Sequence, residues 1–268
     1  MADQQGWSDL TAPSNWNGGI GVPFPARAWQ FQDGVLSTST KTWQSLYSKQ
    51  QYRDFELSFE WKLAPGSNSG VKYLCAEGML DPDWQASVQS APYALGGLFL
   101  AAAIVPVLAW RILKRTWLRW TLTFLSFVLL VAALSGTYLY VQTRSRIARV
   151  PPGFEYQVID NVHYRIPLKP DQLTGSLYDL IAAPASSTPP AMGQWHEARV
   201  LVRDGKVEHW LDGQKLVEFE LGSEALRKAV SGSKFRRVPG FAERRAGYLQ
   251  LQAHDGEAAF RNIRIRPF

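Results

Sequence analysis

Glutamate, glutamine, lysine and histidine recur at alternating positions in several short stretches, the spacing that gathers polar groups on one face of a β-strand. Glu155 and Gln157 share a face opposite Phe154, Tyr156 and Val158, whose apolar side chains predict the core side. Gln250, Gln252 and His254 share a face opposite Leu249, Leu251 and Ala253, and Glu60 and Lys72 fall on polar faces of their own stretches. If these strands are neighbours, the polar residues line one concave surface. The chemistry such a row supports is proton transfer. His254 is the expected base, because imidazole titrates near neutrality. Glu155 and Asp160 are the expected acid/base partners. With His254 they are also candidate ligands for one divalent cation, which takes oxygen or imidazole donors. Asp160 reads equally as a turn residue, and Asn68 and Ser69 as turn chemistry. His163 stands in a loop. Trp61, Trp195 and Trp210 are expected either to stack on a ligand ring or to pack in the core. The basic stretch from Lys234 to Arg245 reads as a solvated loop. The sequence has no GxGxxG, P-loop or HExxH pattern.

The elements that must position these residues read mainly as strands. Phe55, Leu57, Phe59 and Trp61 alternate with Glu56, Ser58, Glu60 and Lys62, the period of a half-buried strand. Further strands are expected at Val71–Cys75, Phe154–Ile159, His196–Arg203, Lys206–Leu221, Gly247–Ala253 and Ala258–Arg266. Asp212-Gly213 is a tight-turn signal that divides the fourth of these into two strands. Only Ser223–Val230 reads as a short helix, with Ser223 as its cap. Ala183–Met192 reads as a surface loop. Many strands and few helices predict an all-β antiparallel sandwich.

Two apolar runs interrupt this pattern. Residues 93–110 and 120–141 contain no charge over 18 and 22 residues, and a bilayer core about 30 Å thick needs roughly 20 helical residues. Aromatic residues near the run ends, among them Trp110, Trp117, Trp120 and Tyr138, suit membrane interfaces. Residues 84–150 are therefore expected to form an inserted transmembrane hairpin, leaving 1–83 and 151–268 as one discontinuous β-domain. The 268 residues carry 29 basic and 23 acidic side chains, a net charge of +6. Seven of the basic residues lie between Arg111 and Arg149, where there is no acidic one, so the remainder is near neutral. The basic character thus points to a lipid bilayer and away from nucleic acid. The basic turn Arg111–Arg119 predicts a cytoplasmic turn with the β-domain on the periplasmic or extracytoplasmic side, the cytoplasmic face being the alternative. Met1–Leu10 is polar and does not read as a signal peptide. The single cysteine, Cys75, excludes an internal disulfide and a CxxC zinc site.

Several motifs carry a family resemblance: Tyr52–Leu74 (YRDFELSFEWKLAPGSNSGVKYL), Gly153–Asn161 (GFEYQVIDN), Gly175–Pro184 (GSLYDLIAAP), Gly193–Gly213 (GQWHEARVLVRDGKVEHWLDG), Gly232–Phe235 (GSKF) and Gly247–Phe268. Together, in this order, they resemble the 3-keto-disaccharide hydrolase family, also described as 3-keto-glucoside lyase/hydratase domains. The resemblance implies a concanavalin-like jelly-roll and a 3-keto-glycoside substrate. A ketone at C3 acidifies the C2 proton, so a base can remove it while the C1 oxygen leaves; hydration then restores a 3-keto sugar. The reaction needs a base and a group to hold the enolate oxygen. The resemblance makes Asn68, Lys72, Gln157, Gln252 and Tyr178 candidate substrate contacts. The family reads LQDHGDE where this chain reads LQAHDGE, so Ala253 stands in place of an acid and Asp255 is the available substitute. A non-catalytic, lectin-like glycan-binding module is the alternative function. A role for the hairpin in ion or proton conduction is disfavoured, since neither run contains an ionisable residue.

Overall fold

The computed structural model describes residues 6–18, 23–38, 44–76, 82–147, 153–185, 188–238 and 240–268. The chain divides into two compact units, Met1–Asp81 with Val150–Phe268, and Pro82–Arg149.

The first unit is a two-sheet antiparallel sandwich. Its strands are β1 (Ser8–Asp9), β2 (Trp16–Asn17), β3 (Gln30–Gln32), β4 (Val35–Thr38), β5 (Leu46–Tyr52), β6 (Phe55–Leu63), β7 (Asn68–Cys75), β8 (Phe154–Ile159), β9 (His196–Arg203), β10 (Lys206–Leu211), β11 (Gln214–Glu220), β12 (Gly247–Leu251) and β13 (Ala258–Pro267). The larger sheet has eight strands in the order β11-β10-β9-β6-β13-β4-β3, with β1 also pairing with β13. The smaller sheet has five, ordered β2-β5-β12-β7-β8. The Lys206–Leu221 run is the hairpin that its tight-turn signal predicts, β10 and β11, turned by Asp212 and Gly213 at φ 46° and 81°. Those two positive angles are what a two-residue hairpin turn with the correct twist requires.

The alternation in β6 buries Phe55, Leu57, Phe59 and Trp61 between the sheets, where they meet Tyr73, Tyr156 and Phe260. Trp61 is fully buried and packs at a tilt on the His196 ring with centroids 5.0 Å apart, so it is a core residue. His209 is fully buried between the sheets. Its Nε2 lies 2.8 Å from the Tyr73 hydroxyl and its Nδ1 lies 3.0 Å from the Gly175 carbonyl. Burial lowers its pKa to about 4, so a neutral imidazole donates to Gly175 and accepts from Tyr73. A short helix, α3, runs from Glu224 to Gly232, and the Ser223 hydroxyl caps it by accepting from the Leu226 N–H at 3.2 Å.

The second unit is a helical hairpin in which α1 spans Pro82–Ile112 and α2 spans Thr116–Ile147. Both helices are long and apolar enough to cross a membrane: mean hydropathy is 1.9 over Leu95–Ile112 and 1.8 over Thr116–Tyr138. The helices run antiparallel, since Leu95 packs on Gly136 and Trp110 meets Trp120 edge to face at 5.7 Å. A Cβ on Gly136 would lie 2.7 Å from Leu95, and Ala109, Ser126 and Ala133 are also buried, so small residues allow close helix approach. The connecting turn is shorter than the basic stretch suggests. Arg111 and Arg119 are helical, and Arg119 Nε donates to the Leu113 carbonyl at 2.6 Å, satisfying a carbonyl at the end of α1.

Candidate active site on the five-stranded sheet

The residues predicted to share a polar face belong mostly to the five-stranded sheet. Register pairs Lys72 with both Glu155 and Gln250, Gly70 with Gln157, and Gln250 with Tyr47. Adjacent strands thus bring residues nearly two hundred positions apart within side-chain reach. Lys72 Nζ lies 3.4 Å from Glu155 Oε2, and both side chains are largely buried. Gly70 is what allows this arrangement, because a Cβ there would lie 2.5 Å from Glu155 Oε1. Gln250 Nε2 donates to the Tyr47 hydroxyl at 2.9 Å. Gln157 is buried, and its Oε1 accepts from the Val158 N–H at 3.1 Å.

Two loops complete the face. The Gly175–Pro184 segment folds back on the edge strand, with the Tyr178 N–H donating to the Glu155 carbonyl at 3.1 Å. Tyr178 meets Lys234, whose ammonium lies 4.0 Å from the ring centroid. Burial pushes the Tyr178 phenol up to about 12, with the negative charges of Glu155 and Asp179 adding to the effect. Much of Lys234 is exposed, yet protein packed about its head lowers the ammonium pKa. Glu155 and Asp179 oppose that shift and Lys72 adds to it, so Lys234 senses the same cluster. Lys234 lies in the stretch read as a solvated loop. The GSKF motif was its only sequence signal. Tyr47 and Tyr164 gave none.

His254 lies just beyond β12. Its Nδ1 is 3.3 Å from Asp255 Oδ2 and 3.5 Å from Asn68 Nδ2. The Asp255 carboxylate also accepts from the Tyr164 hydroxyl and the Arg165 guanidinium, each at 2.8 Å. Burial raises the Asp255 pKa, but Tyr164, His254 and Arg165 outweigh it and hold the carboxyl below its usual range. Burial lowers the His254 pKa, opposed by Asp255 and Glu155, so the imidazole is neutral at pH 7. With Nδ1 facing a carboxylate, the proton belongs on Nδ1 and the lone pair on Nε2. Ala253 points the other way, into the core, and is 2% exposed. The acid missing at 253 therefore leaves the outward row intact, and Asp255 supplies a carboxylate next to the imidazole.

Three amide oxygens on this face, Asn68 Oδ1, Gln250 Oε1 and Gln252 Oε1, are buried and have no hydrogen-bond partner. An unpaired buried acceptor is costly, which makes these atoms natural seats for ligand hydroxyls.

Asp160 takes no part in this cluster. Its Oδ2 accepts from Gly66 N–H at 2.8 Å and faces His163 Nδ1 at 3.2 Å, while Oδ1 accepts from the Val162 and His163 N–H groups. Burial raises its pKa, but these hydrogen bonds prevail and hold the carboxyl low. Asp160 and His163 thus shape the turn that leads to Tyr164. Glu155, Asp160 and His254 do not gather round one point. Among the described residues no three His, Cys, Asp or Glu side chains are placed to hold a metal, so Glu155, Asp160 and His254 do not form a three-ligand set. Positive charge on this face comes from Lys72 and Lys234, and from Arg165, which is paired with Asp255. Trp195 and Trp210 sit beneath cations elsewhere: Arg261 lies 4.2 Å from the Trp195 ring and Arg199 4.2 Å from the Trp210 ring, both on the eight-stranded sheet.

Comparison with known proteins agrees with this architecture. A curated 3-keto-disaccharide hydrolase from Bacteroides thetaiotaomicron is 21% identical over 98% of this chain and 79% of its own length. Two solved structures from Parabacteroides distasonis, provisionally named glycosyl hydrolases, share the fold. One has a TM-score of 0.66 at 22% identity, covering 98% of this chain and 94% of that one. The other has a TM-score of 0.58 at 20% identity, covering 98% and 99%. The 3-keto-alpha-glucoside-1,2-lyase-like domain matches residues 3–94 and 114–266, entering both arms of the hairpin where the motifs had stopped short of it. With most of its length covered, the chain belongs to the 3-keto-alpha-glucoside-1,2-lyase-like domain family.

Proposed function

We propose that the chain is a membrane-anchored enzyme that cleaves 3-keto-glucosides by elimination followed by hydration. The observation that carries this reading is His254, neutral and oriented by Asp255, on a face that also bears two ammonium groups. His254 Nε2 takes the C2 proton, made acidic by the C3 ketone. The Lys72 and Lys234 ammonium groups neutralise the enolate oxygen as charge develops on it. Tyr178, whose raised pKa keeps it protonated, donates to the departing C1 oxygen, and the aglycone leaves as the alcohol. Glu155 orients the water that adds at C1, the proton this water sheds restores the Tyr178 hydroxyl, and His254 returns its proton to C2. The sum is one glycoside and one water giving a 3-keto sugar and the free alcohol. Asn68, Gln250 and Gln252 bind sugar hydroxyls through their unpartnered oxygens.

An aryl 3-keto-glucoside tests the reading: the wild-type protein releases the phenol, and His254→Ala does not. Wild-type protein that binds the compound without releasing the phenol identifies a lectin-like module instead, a role the three amide acceptors could serve without any base. For the membrane part, the hairpin spans the bilayer with its Lys114-Arg115 turn in the cytoplasm and the β-domain outside. Protease added to sealed, right-side-out vesicles then degrades the β-domain, and protection of it reverses the assignment.

A further inference from the structure

We propose that the outward face of the eight-stranded sheet carries a separate groove for a neutral oligosaccharide, on the opposite side of the sandwich from His254. Register places Trp210, Arg199, Ser58 and Arg264 in one row across β10, β9, β6 and β13. Trp7 stands just ahead of β1, whose Asp9 pairs with Arg264. Strands lie about 4.8 Å apart, and the Trp7 ring lies against Arg264 and Arg266 of β13, so the three steps from β10 to β13 separate the two tryptophan sites by roughly 14 Å. A monosaccharide cannot bridge that distance, whereas an oligosaccharide can. Between the tryptophans lies a cavity of about 410 Å³, floored by the small side chain of Ser58.

The groove is built from fixed parts. Trp210 Nε1 donates to Glu208 at 2.8 Å, and the Arg199 guanidinium lies over its ring. Arg264 and Arg266 lie 5.5 and 5.1 Å from the Trp7 ring. Beneath them Glu56, nearly buried, pairs with Arg199 and Arg266; burial raises its pKa, but the two arginines hold it below the usual range. Aromatic side chains at both ends suit the C–H surface of sugar rings, and planar charged groups between them suit hydroxyls. The charges lining the cavity balance, with Glu56 and Glu197 against Arg199 and Arg264. That balance favours an uncharged ligand over an anionic or cationic one.

The test uses the full chain purified in detergent and three probes, cellohexaose, laminarihexaose and maltohexaose, with binding measured by calorimetry. At least one is expected to bind wild-type protein. The double variant Trp7→Ala/Trp210→Ala weakens that binding by about tenfold or more, while Trp7→Phe/Trp210→Phe retains it. Turnover of the aryl 3-keto-glucoside serves as the folding control and should be unchanged, so loss of the groove is distinct from loss of the proposed active site. If the alanine variant does not fold, Arg264→Gln, at an exposed position, reads the same groove through a severalfold loss. The proposal is overturned if none of the three probes binds, if the alanine variant binds as wild type, or if the phenylalanine variant binds no better than the alanine one.

Discussion

On the outward face of the eight-stranded sheet Glu56 is held by Arg199 and Arg266, Glu60 by Arg261 and Asn262, and Lys215 by Glu208 and Glu218. Across the sandwich, on the five-stranded sheet, Asn68, Gln250 and Gln252 each keep a buried oxygen without a partner, and His254 is packed so that it loses its charge. The residue types on the two faces are alike. The difference lies in the acceptors: the carboxylates on the outward face of the larger sheet are met by donors and the buried group left over there is a donor, Arg266 Nε, whereas the smaller sheet leaves acceptors unmet. A paired surface can receive a ligand only by stacking and exchange of solvent, whereas an unpaired one is energetically poised for hydroxyls and protons.

That contrast can be broken at several points. His254→Ala should lower release of the aryl leaving group by about 10²- to 10³-fold with the thermal transition kept, as expected for loss of a general base. Asp255→Asn should cost about tenfold, through loss of orientation. It should also move the acid limb of the pH–rate profile to lower pH, because Asp255 raises the His254 pKa. Lys72→Met strands the Glu155 carboxylate in a largely buried position and should destabilise by about 3 kcal/mol in urea unfolding. Between the two faces, His209 has a folded pKa of about 4 against about 6.5 unfolded. The unfolded state therefore binds more protons between those values. Stability should be complete above about pH 6.5 and fall by about 3 kcal/mol as pH drops to 4. His209→Gln should flatten that slope in denaturant titrations at several pH values. Gly70→Ala should push Glu155 away from Lys72 and cost about 2 kcal/mol. Glu56→Gln, on the paired face, should cost only about 1 kcal/mol, since both arginines still reach solvent. Equal losses at Lys72 and Glu56 would erase the contrast.

Strand parity in Phe154–Ile159 was enough to say which side chains turn inward, and β8 is packed in that way. It could not show that the other side is buried too: all six residues are buried, and the Gly175–Pro184 loop pairs with the edge of the strand at Glu155 and Gln157. Tyr47, Tyr164 and Lys234 reach the face from segments whose positions depend on tertiary contacts, so no periodicity marks them. Asp160 is a carboxylate in a family motif, and only its hydrogen-bond partners distinguish a turn anchor from a proton carrier. The apolar runs were legible from length alone. The strands before β6 were not: β1 to β4 have two to four residues each, too short for alternation to show, and β5 runs three buried residues into three exposed ones, Lys49, Gln50 and Gln51, without alternating.

The hairpin lies in sequence between β7 and β8, which are neighbours in one sheet, and this has a consequence in time. Among the described residues before the hairpin the only strand pairs are β2 with β5 and β3 with β4. β6 pairs only with β9 and β13, and β7 only with β8 and β12, all made after the hairpin. At about 5–20 residues per second, synthesis of the hairpin precedes the arrival of those partners by seconds. The amino-terminal segment is therefore still an open chain when the apolar helices emerge from the ribosome. An open chain can be threaded through a translocation channel where a closed sandwich could not, so under the proposed membrane-anchored reading the order of the strands leaves the route to either side available until the helices are in place.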